Sequence, residues 1–222
     1  VEPMNSGIGG YGTILTYSAR DKRARFLNSS GRIPHSVNAD AFRAPAPDFE
    51  ANRRGAKAVS TPGNVAAWAA LSREYGSAEW SGLFRDAIAL ADRGFPISSK
   101  TADVIKTAFG SFSAEARGFY GLKGQPLPAG AVLIQRDLAS SLTLIARDGD
   151  RAISDGPLGA AIDSTVREAG GFLRATDLRA NVAEWSDAIF IDYRGARVYT
   201  APPPANAFDY LVRLGLMAQF DV

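Results

Sequence analysis

The chain has 222 residues, of which 46% are hydrophobic, and a formal net charge of +2, the balance of an ordinary globular protein. It contains no cysteine and a single histidine, His35, so disulfides, cysteine-bound metals and clusters of histidine ligands are excluded. No apolar run approaches the ~20 residues of a membrane-spanning helix, and no broad basic face with interleaved aromatic residues indicates nucleic-acid binding.

The chain opens with a run of small residues in which Gly7, Gly9 and Gly12 match the spacing G-x-G-x-x-G. A dinucleotide-binding fingerprint of this kind needs a strand before the glycines and a helix after them. Here Glu2-Pro3 precedes them and the alternating segment Thr13–Tyr17 follows. We therefore interpret the glycines as structural, and a phosphate-binding module built on them is the weakest alternative.

Thr13–Tyr17 and Ala24–Asn28 read as two strands of a hairpin joined by the polar turn Ser18–Lys22. The densest basic run, Arg20–Arg25, falls in and beside that turn and is interpreted as solvated. Asn28–Lys57 is rich in Pro, Asn, Asp and Ala without a clear period, which predicts a loop carrying short elements.

Apolar spacing and stop signals predict helices through the middle of the chain. The first has Thr61 as its cap and Pro62 at its first position, with Gly76 just past its end. The others are Trp80–Arg93 before Gly94 and Pro96, Ser98 to Phe109, Arg136–Arg147 before Gly149, Pro157–Ala169 before Gly170, and a short turn capped by Thr176. Residues 111–130 are predicted to be irregular.

The C-terminal part predicts a second hairpin, Ala188–Tyr193 with Ala196–Ala201, around the turn residues Arg194-Gly195. Three prolines then predict an extended path, and Ala207–Gln219 predicts a closing helix. Because the strands form hairpins near the two ends and helices fill the middle, the fold class is α+β rather than a succession of βαβ units.

Four segments, in order along the chain, together resemble the gamma-glutamyltranspeptidase family. They are Val1–Gly12 with V-E-P and the glycines, Ser60–Ala66 with the pattern P-G-x-V-A, Ala87–Pro96 with A-I-x-L-A and G-F-P, and Tyr199–Pro204 with the triple proline. The resemblance implies part of the four-layer α/β/β/α sandwich of the N-terminal-nucleophile hydrolases, with a helical lobe. It implies a single large-subunit segment, 1–222, in which 1–60 and 186–222 contribute to the sandwich and about 61–185 form the lobe.

The resemblance also implies a chemistry whose nucleophile is not in this sequence. Enzymes of the family cut themselves, and the new N-terminal Thr of the small subunit attacks an amide carbonyl to give an acyl-enzyme. Neither Ser60-Thr61 nor Ser164-Thr165 resembles that cleavage site. A Ser-His-Asp triad would have to use His35, and no G-x-S-x-G elbow presents a serine. We therefore expect no catalytic residue, metal or cofactor here, and expect the small subunit of the same precursor as partner.

One substrate contact of the family falls within this sequence. The family pattern L-D-x-R-E-x-A-P carries an Arg that binds the substrate α-carboxylate, and the corresponding stretch here is Leu27–Pro34. Without gaps, Ser30 stands at the Arg position and Arg32 lies two residues further on. Ser30 and Arg32 are thus the candidate substrate-binding residues, with Arg32 as a surface residue the alternative.

The expected reaction is acyl transfer or hydrolysis at an amide, with a gamma-glutamyl or related acyl group such as glutaryl. Since Ser30 replaces the Arg, the substrate hypothesis is an acyl group without the free α-carboxylate, as in the cephalosporin-acylase-like branch. Phe208, where the family has small residues, either reshapes a nearby pocket or, as we favour, anchors the closing helix in the core. A non-catalytic binding or scaffold protein of the same fold is the alternative function. The compartment, whether periplasmic, secreted or cytoplasmic, is left open.

Overall fold

The computed structural model of the protein describes residues 7–10, 12–43, 53–203 and 205–220. The V-E-P part of the first family-like segment, part of the loop predicted for 28–57 and Pro204 lie outside these residues. Within them the chain is a mixture of helices and short antiparallel strands.

Nine strands are described. They are β1 (Gly12–Ser18), β2 (Arg23–Ser29), β3 (Phe95–Pro96), β4 (Gly121–Leu122), β5 (Gln125–Pro126), β6 (Val132–Leu133), β7 (Glu184–Asp187), β8 (Ile189–Tyr193) and β9 (Ala196–Thr200). The largest sheet has the order β1-β2-β7 and is antiparallel throughout. β3 pairs with β6, β4 with β5, and β8 with β9.

Nine α-helices and three short 3-10 helices occupy the described residues. The α-helices are α1 (Asn64–Tyr75), α2 (Arg85–Arg93), α3 (Ser99–Ala108), α4 (Ala114–Tyr120), α5 (Arg136–Asp148), α6 (Arg151–Ser154), α7 (Pro157–Glu168), α8 (Ala175–Ala180) and α9 (Phe208–Met217), and the 3-10 helices are Ala56–Ala58, Trp80–Phe84 and Phe109–Ser111. None of these described helices is long and apolar enough to cross a membrane.

Both predicted hairpins are present. β1 and β2 pair along their whole length, with Gly12 opposite Ser29 and Ser18 opposite Arg23. The β8–β9 turn has positive φ at both Arg194 and Gly195, the conformation that a two-residue hairpin loop requires. β7 was not predicted: its sequence Glu-Trp-Ser-Asp is short and polar, and it forms a strand because it pairs with β2.

Three predictions about local structure are wrong. Residues 111–130 are not irregular, because the Ser113 hydroxyl accepts from Ala116 N at 3.2 Å and begins α4. Thr176 does not cap α8, since the Asp177 carboxylate accepts from Arg174 N at 2.9 Å and does so instead. Thr61 does not cap α1 either. Its hydroxyl donates to a distant backbone carbonyl, which is described with the functional site below.

The main core lies between the helices. Its fully buried side chains include Ile145 of α5, Ala152 of α6 and Leu173 before α8, and the Trp80 indole N–H donates to Ile145 O at 3.0 Å. A smaller cluster around Ile97, Ile105, Leu127 and Leu133 joins α3 to the short strands. In the largest sheet, Phe26 and Leu27 of β2 are buried. The division of the chain into sandwich and lobe stays a prediction.

The largest sheet contacts the helices where β2 pairs with β7. Arg25 of β2 donates to Glu74 of α1 at 2.8 Å, and its guanidinium lies 4.4 Å from the ring centroid of Trp185 in β7. Hydrogen bonding to Tyr75, and then to Glu74, raises the pKa of Arg25 above its usual value. The C-terminal end of α1 is therefore fixed against this sheet.

Candidate functional site

The segment that follows β2, residues 30–36, carries both candidate substrate-binding residues and is called the exit segment below. Ser30 N donates to Asn28 Oδ1 at 3.0 Å. A bond from an Asn side chain to the amide two residues on is the turn that this side chain favours. It directs the chain out of the sheet at Ser30, which is half-buried.

Arg32 projects from the exit segment and forms an ion pair with Glu184 of β7. Glu184 stands opposite Asn28 in the β2–β7 ladder, so the sheet brings the carboxylate to the place where the exit segment begins. Both side chains are more than half exposed, at 52% and 57%. The guanidinium that the sequence offered as a carboxylate ligand thus already contacts a carboxylate of the same chain.

Thr61 fixes the backbone of the exit segment. Its amide and its hydroxyl both donate to Arg32 O, at 3.0 and 2.9 Å, and Thr61 is completely buried. Its hydroxyl donates to the exit segment, while the N-cap of α1 is Gly63, which has no side-chain cap. Thr61 is also enclosed, unlike an attacking nucleophile.

The glycine turn, residues 7–10, accepts hydrogen bonds from the start of α1. Gly10 O accepts from both Gly63 N and Asn64 N at 3.0 Å, and the Asn64 side chain donates to Gly7 O at 3.0 Å. The amides of Gly63 and Asn64, at the start of α1, are therefore occupied by a carbonyl rather than open to an anion. The element that begins at Gly12 is β1 and not a helix, so the described part of the glycine run is interpreted as structural.

Gly63 is the point of closest approach between α1 and the exit from β2. A Cβ at this position would lie 2.1 Å from Ser29 O, a distance that real contacts do not allow. The buried Ser29 hydroxyl is itself bonded to the backbone of Gly12, accepting from its N at 3.2 Å and donating to its O at 2.5 Å. Glycine is required here because two backbones meet.

His35 is engaged through its backbone and not as a catalytic imidazole. Its amide donates to Asp177 Oδ1 at 2.9 Å, while its side chain is exposed. Ser164, the other serine beside a threonine, donates to Glu168 on the exposed face of α7. Among the described residues, His35 and Asp177 are therefore joined through a backbone amide and not through the imidazole.

A mostly apolar cavity of about 820 Å³ lies beside the glycine turn, between α1, the 3-10 helix at Trp80–Phe84 and α5. Trp68, Tyr75 and Leu142 are among its lining residues, and none of the described residues that line it has a charged side chain. These residues therefore offer no ionic partner for the ammonium or carboxylate of a glutamyl group.

The C-terminal helix α9 leaves much of its apolar surface uncovered. Leu211 is its one buried residue among those described, whereas Tyr210 is 65% and Leu216 62% exposed. Phe208 is itself 43% exposed, so the favoured interpretation that it anchors α9 in the core is wrong for this chain. Leu211 is the anchor, and a helix that is apolar on most sides is typical of a buried position.

The fold matches solved structures of one class of amidohydrolases and acyltransferases. The structure of cephalosporin acylase from Bacillus halodurans superposes with a TM-score of 0.92 at 28% identity, over 100% of this chain and 42% of that chain. The gamma-glutamyltranspeptidase of Helicobacter pylori superposes with a TM-score of 0.92 at 25% identity, over 99% of this chain and 64% of that one. The fold is therefore α+β and forms part of an N-terminal-nucleophile hydrolase sandwich.

Sequence comparison narrows this class to a family. The family model described as gamma-glutamyltranspeptidase matches residues 1–222, and the chain belongs to that family. The glutathione hydrolase-like YwrD proenzyme of Bacillus subtilis (strain 168) is 30% identical over 227 residues, covering 100% of this chain and 42% of the relative. The acylase ACY 1 proenzyme of Pseudomonas sp. (strain V22) is 29% identical over 233 residues, covering 100% of this chain and 41% of the relative. The chain thus spans about two fifths of the length of these curated relatives.

Proposed function

We propose that this chain is the large-subunit part of a gamma-glutamyltranspeptidase-like enzyme that transfers or hydrolyses an acyl group at an amide. The acyl group is gamma-glutamyl or a related one such as glutaryl, and the nucleophilic Thr comes from the small subunit of the same precursor. Family membership and the match to both a gamma-glutamyltranspeptidase and a cephalosporin acylase support this reaction class.

The observation that carries the substrate part of the proposal is the state of the exit segment. Ser30 stands where the family has its carboxylate-binding Arg, and a hydroxyl supplies neither the charge nor the two-pronged geometry of a guanidinium. Arg32, the nearest replacement in sequence, pairs with Glu184. A donor carboxylate would have to displace Glu184, so we propose that this enzyme gains little from a carboxylate on the acyl chain.

The partner part of the proposal rests on uncovered apolar surface. α9 packs on β8, where Gly215 lies next to Ile191, and its other sides expose Tyr210, Leu216 and further apolar residues. β1 is an edge strand of the largest sheet with Leu15 and Tyr17 exposed. An open edge and an apolar helix face are surfaces that another chain normally covers, and the small subunit is the proposed occupant. The proenzyme descriptions of both relatives favour a processed precursor of this kind.

The test compares four p-nitroanilide donors with the full-length processed enzyme: gamma-glutamyl, glutaryl, 4-aminobutyryl and butyryl. Gamma-glutamyl carries both the amine and the carboxylate, glutaryl keeps the carboxylate, 4-aminobutyryl keeps the amine, and butyryl has neither. We expect kcat/KM to differ by less than about threefold between donors that differ only in the carboxylate, since the Arg32 guanidinium is already paired with Glu184.

Two outcomes contradict the proposal, at different levels. Strong dependence on the carboxylate, unaffected by replacing Arg32, overturns the specificity. A full-length product that stays a single band on a denaturing gel and turns over none of the donors overturns the enzyme and favours a non-catalytic scaffold.

A further inference from the structure

Asp177 is a buried carboxylate, and the proposed reaction gives it no direct task. Among the residues that the structure describes, it is the one acidic side chain in the buried set, at 9% exposure. Its two carboxylate oxygens accept hydrogen bonds from backbone amides in two different parts of the chain. Oδ2 accepts from Arg174 N at 2.9 Å and caps α8, and Oδ1 accepts from His35 N at 2.9 Å.

The bond to His35 N is not needed for helix capping. Capping of α8 uses one oxygen, and at this third helical position of a capping box the neutral side chain of Gln also serves. The second oxygen instead holds the exit segment, 142 residues away along the chain. A hydrogen bond to an ionised acceptor is stronger than a neutral one and stronger still where water is excluded.

The backbone of the exit segment is thus held at two points, at Arg32 before Pro34 and at the residue after it. Thr61 holds the carbonyl of Arg32, and Asp177 holds the amide of His35. Pro34 between them is buried and has a fixed φ. Little backbone freedom remains between the two anchors, so the path of the chain after Arg32 depends on where Asp177 places His35.

We propose that Asp177 is a positioning residue for the acyl-binding site: through the His35 amide, and together with Thr61, it sets where Arg32 stands relative to the acyl donor. This inference rests on the proposed function. Substrate-positioning groups are effective only when held to within about 0.5 Å, which gives a buried charged anchor a purpose beyond folding.

The exit segment allows this bond to be removed alone. Val37 N donates to Pro34 O at 3.0 Å, so His35 is the second residue of a four-residue turn, a position where proline is favoured. His35→Pro removes the amide hydrogen that Asp177 accepts and leaves Asp177 free to cap α8. His35→Ala is the matched control, because it removes the exposed imidazole and keeps the amide.

The experiment measures kcat and KM of the processed full-length enzyme for its best acyl donor. In His35→Pro we expect KM to rise by about threefold or more, because the backbone after Arg32 then has one anchor instead of two and its displacement weakens donor binding. His35→Ala should match the parent enzyme, and kcat and the extent of self-processing should stay the same in both. A role in folding alone would lower the yield of processed enzyme without changing KM.

Asp177→Asn gives a second measure, because its amide group would face one of the two backbone N–H donors, and the same rise in KM is expected. Parent-like KM in processed His35→Pro overturns the positioning role. So does failure of both variants to accumulate as processed enzyme, since Asp177 would then serve folding. If the parent enzyme turns over no donor at all, the proposed function itself fails and this inference fails with it.

Discussion

The exit segment is held by hydrogen bonds to buried side chains: Thr61 donates to its backbone, and Asp177 accepts from it. In helix α9 the reverse is true, because apolar contacts to one hairpin hold it and most of its apolar surface faces outwards. The first region is held by hydrogen bonds within this chain, whereas the second leaves apolar side chains exposed to solvent. The contrast separates the part that we propose to select a substrate from the part that we propose to bind the small subunit.

The largest effect is expected where two backbones touch beside the exit segment. Gly63→Ala puts a Cβ 2.1 Å from Ser29 O, so α1 or the end of β2 must shift, and we expect the free energy of unfolding to fall by about 1–3 kcal/mol. Urea denaturation of the full precursor measures this.

Gly118→Ala is the control for that substitution, because Gly118 lies within α4 and has open space around its Cβ position. It should be neutral or slightly stabilising. Equal behaviour of the two variants would show that the exit segment is not rigidly seated on α1.

Helix α9 tests the other side of the comparison. Leu216→Asp places a charge on the uncovered apolar face, and if the small subunit covers this face, the association of the processed subunits weakens by roughly tenfold or more. Size-exclusion chromatography at falling protein concentration measures it. Gln219→Asp adds the same charge at an exposed polar position and should leave the association unchanged. Intact association of Leu216→Asp would mean that α9 remains exposed in the enzyme.

The smallest effect concerns the hairpin beneath α9. Hydrogen bonds from Arg197 to Asp192, at 2.8 and 3.0 Å, lower the pKa of that carboxyl group. Its folded pKa is below its unfolded one, so the stabilising contribution is present above the unfolded pKa and is lost as the pH falls through the folded value. The effect is therefore confined to acid and is small, since the pair is exposed.

NMR titration of the Asp192 carboxyl carbon measures this shift. Arg197→Gln should raise its pKa towards the ordinary value, and Arg213→Gln on α9 should not. An unchanged titration in Arg197→Gln would show that the pair does not persist in solution.

Sequence patterns predicted the elements whose signals are local. Arg194-Gly195 predicted the turn of the second hairpin, and Gly149 and Gly170 predicted where α5 and α7 end, because such residues tolerate the backbone of a turn or helix end. β7 carries no such signal. It is a strand only because β2 offers it hydrogen bonds from more than 150 residues away in the chain.

The sequence predicted only part of the candidate site. Ser30 and Arg32 were found because a family pattern covers Leu27–Pro34. Glu184 was not, because the Arg32 pair joins residues 152 positions apart. Thr61 was assigned to the wrong task, since a threonine that caps a helix and one that donates to a distant carbonyl such as Arg32 O leave the same sequence signal.

The Gly10 carbonyl, which receives the first two amides of the α1 region, also stands two residues before β1. An insertion between Gly7 and Gly12 would shift the register of a strand and the start of a helix in one event. Changes of length among relatives should therefore accumulate in the β1–β2 turn at residues 19–22, where the chain can lengthen without disturbing either.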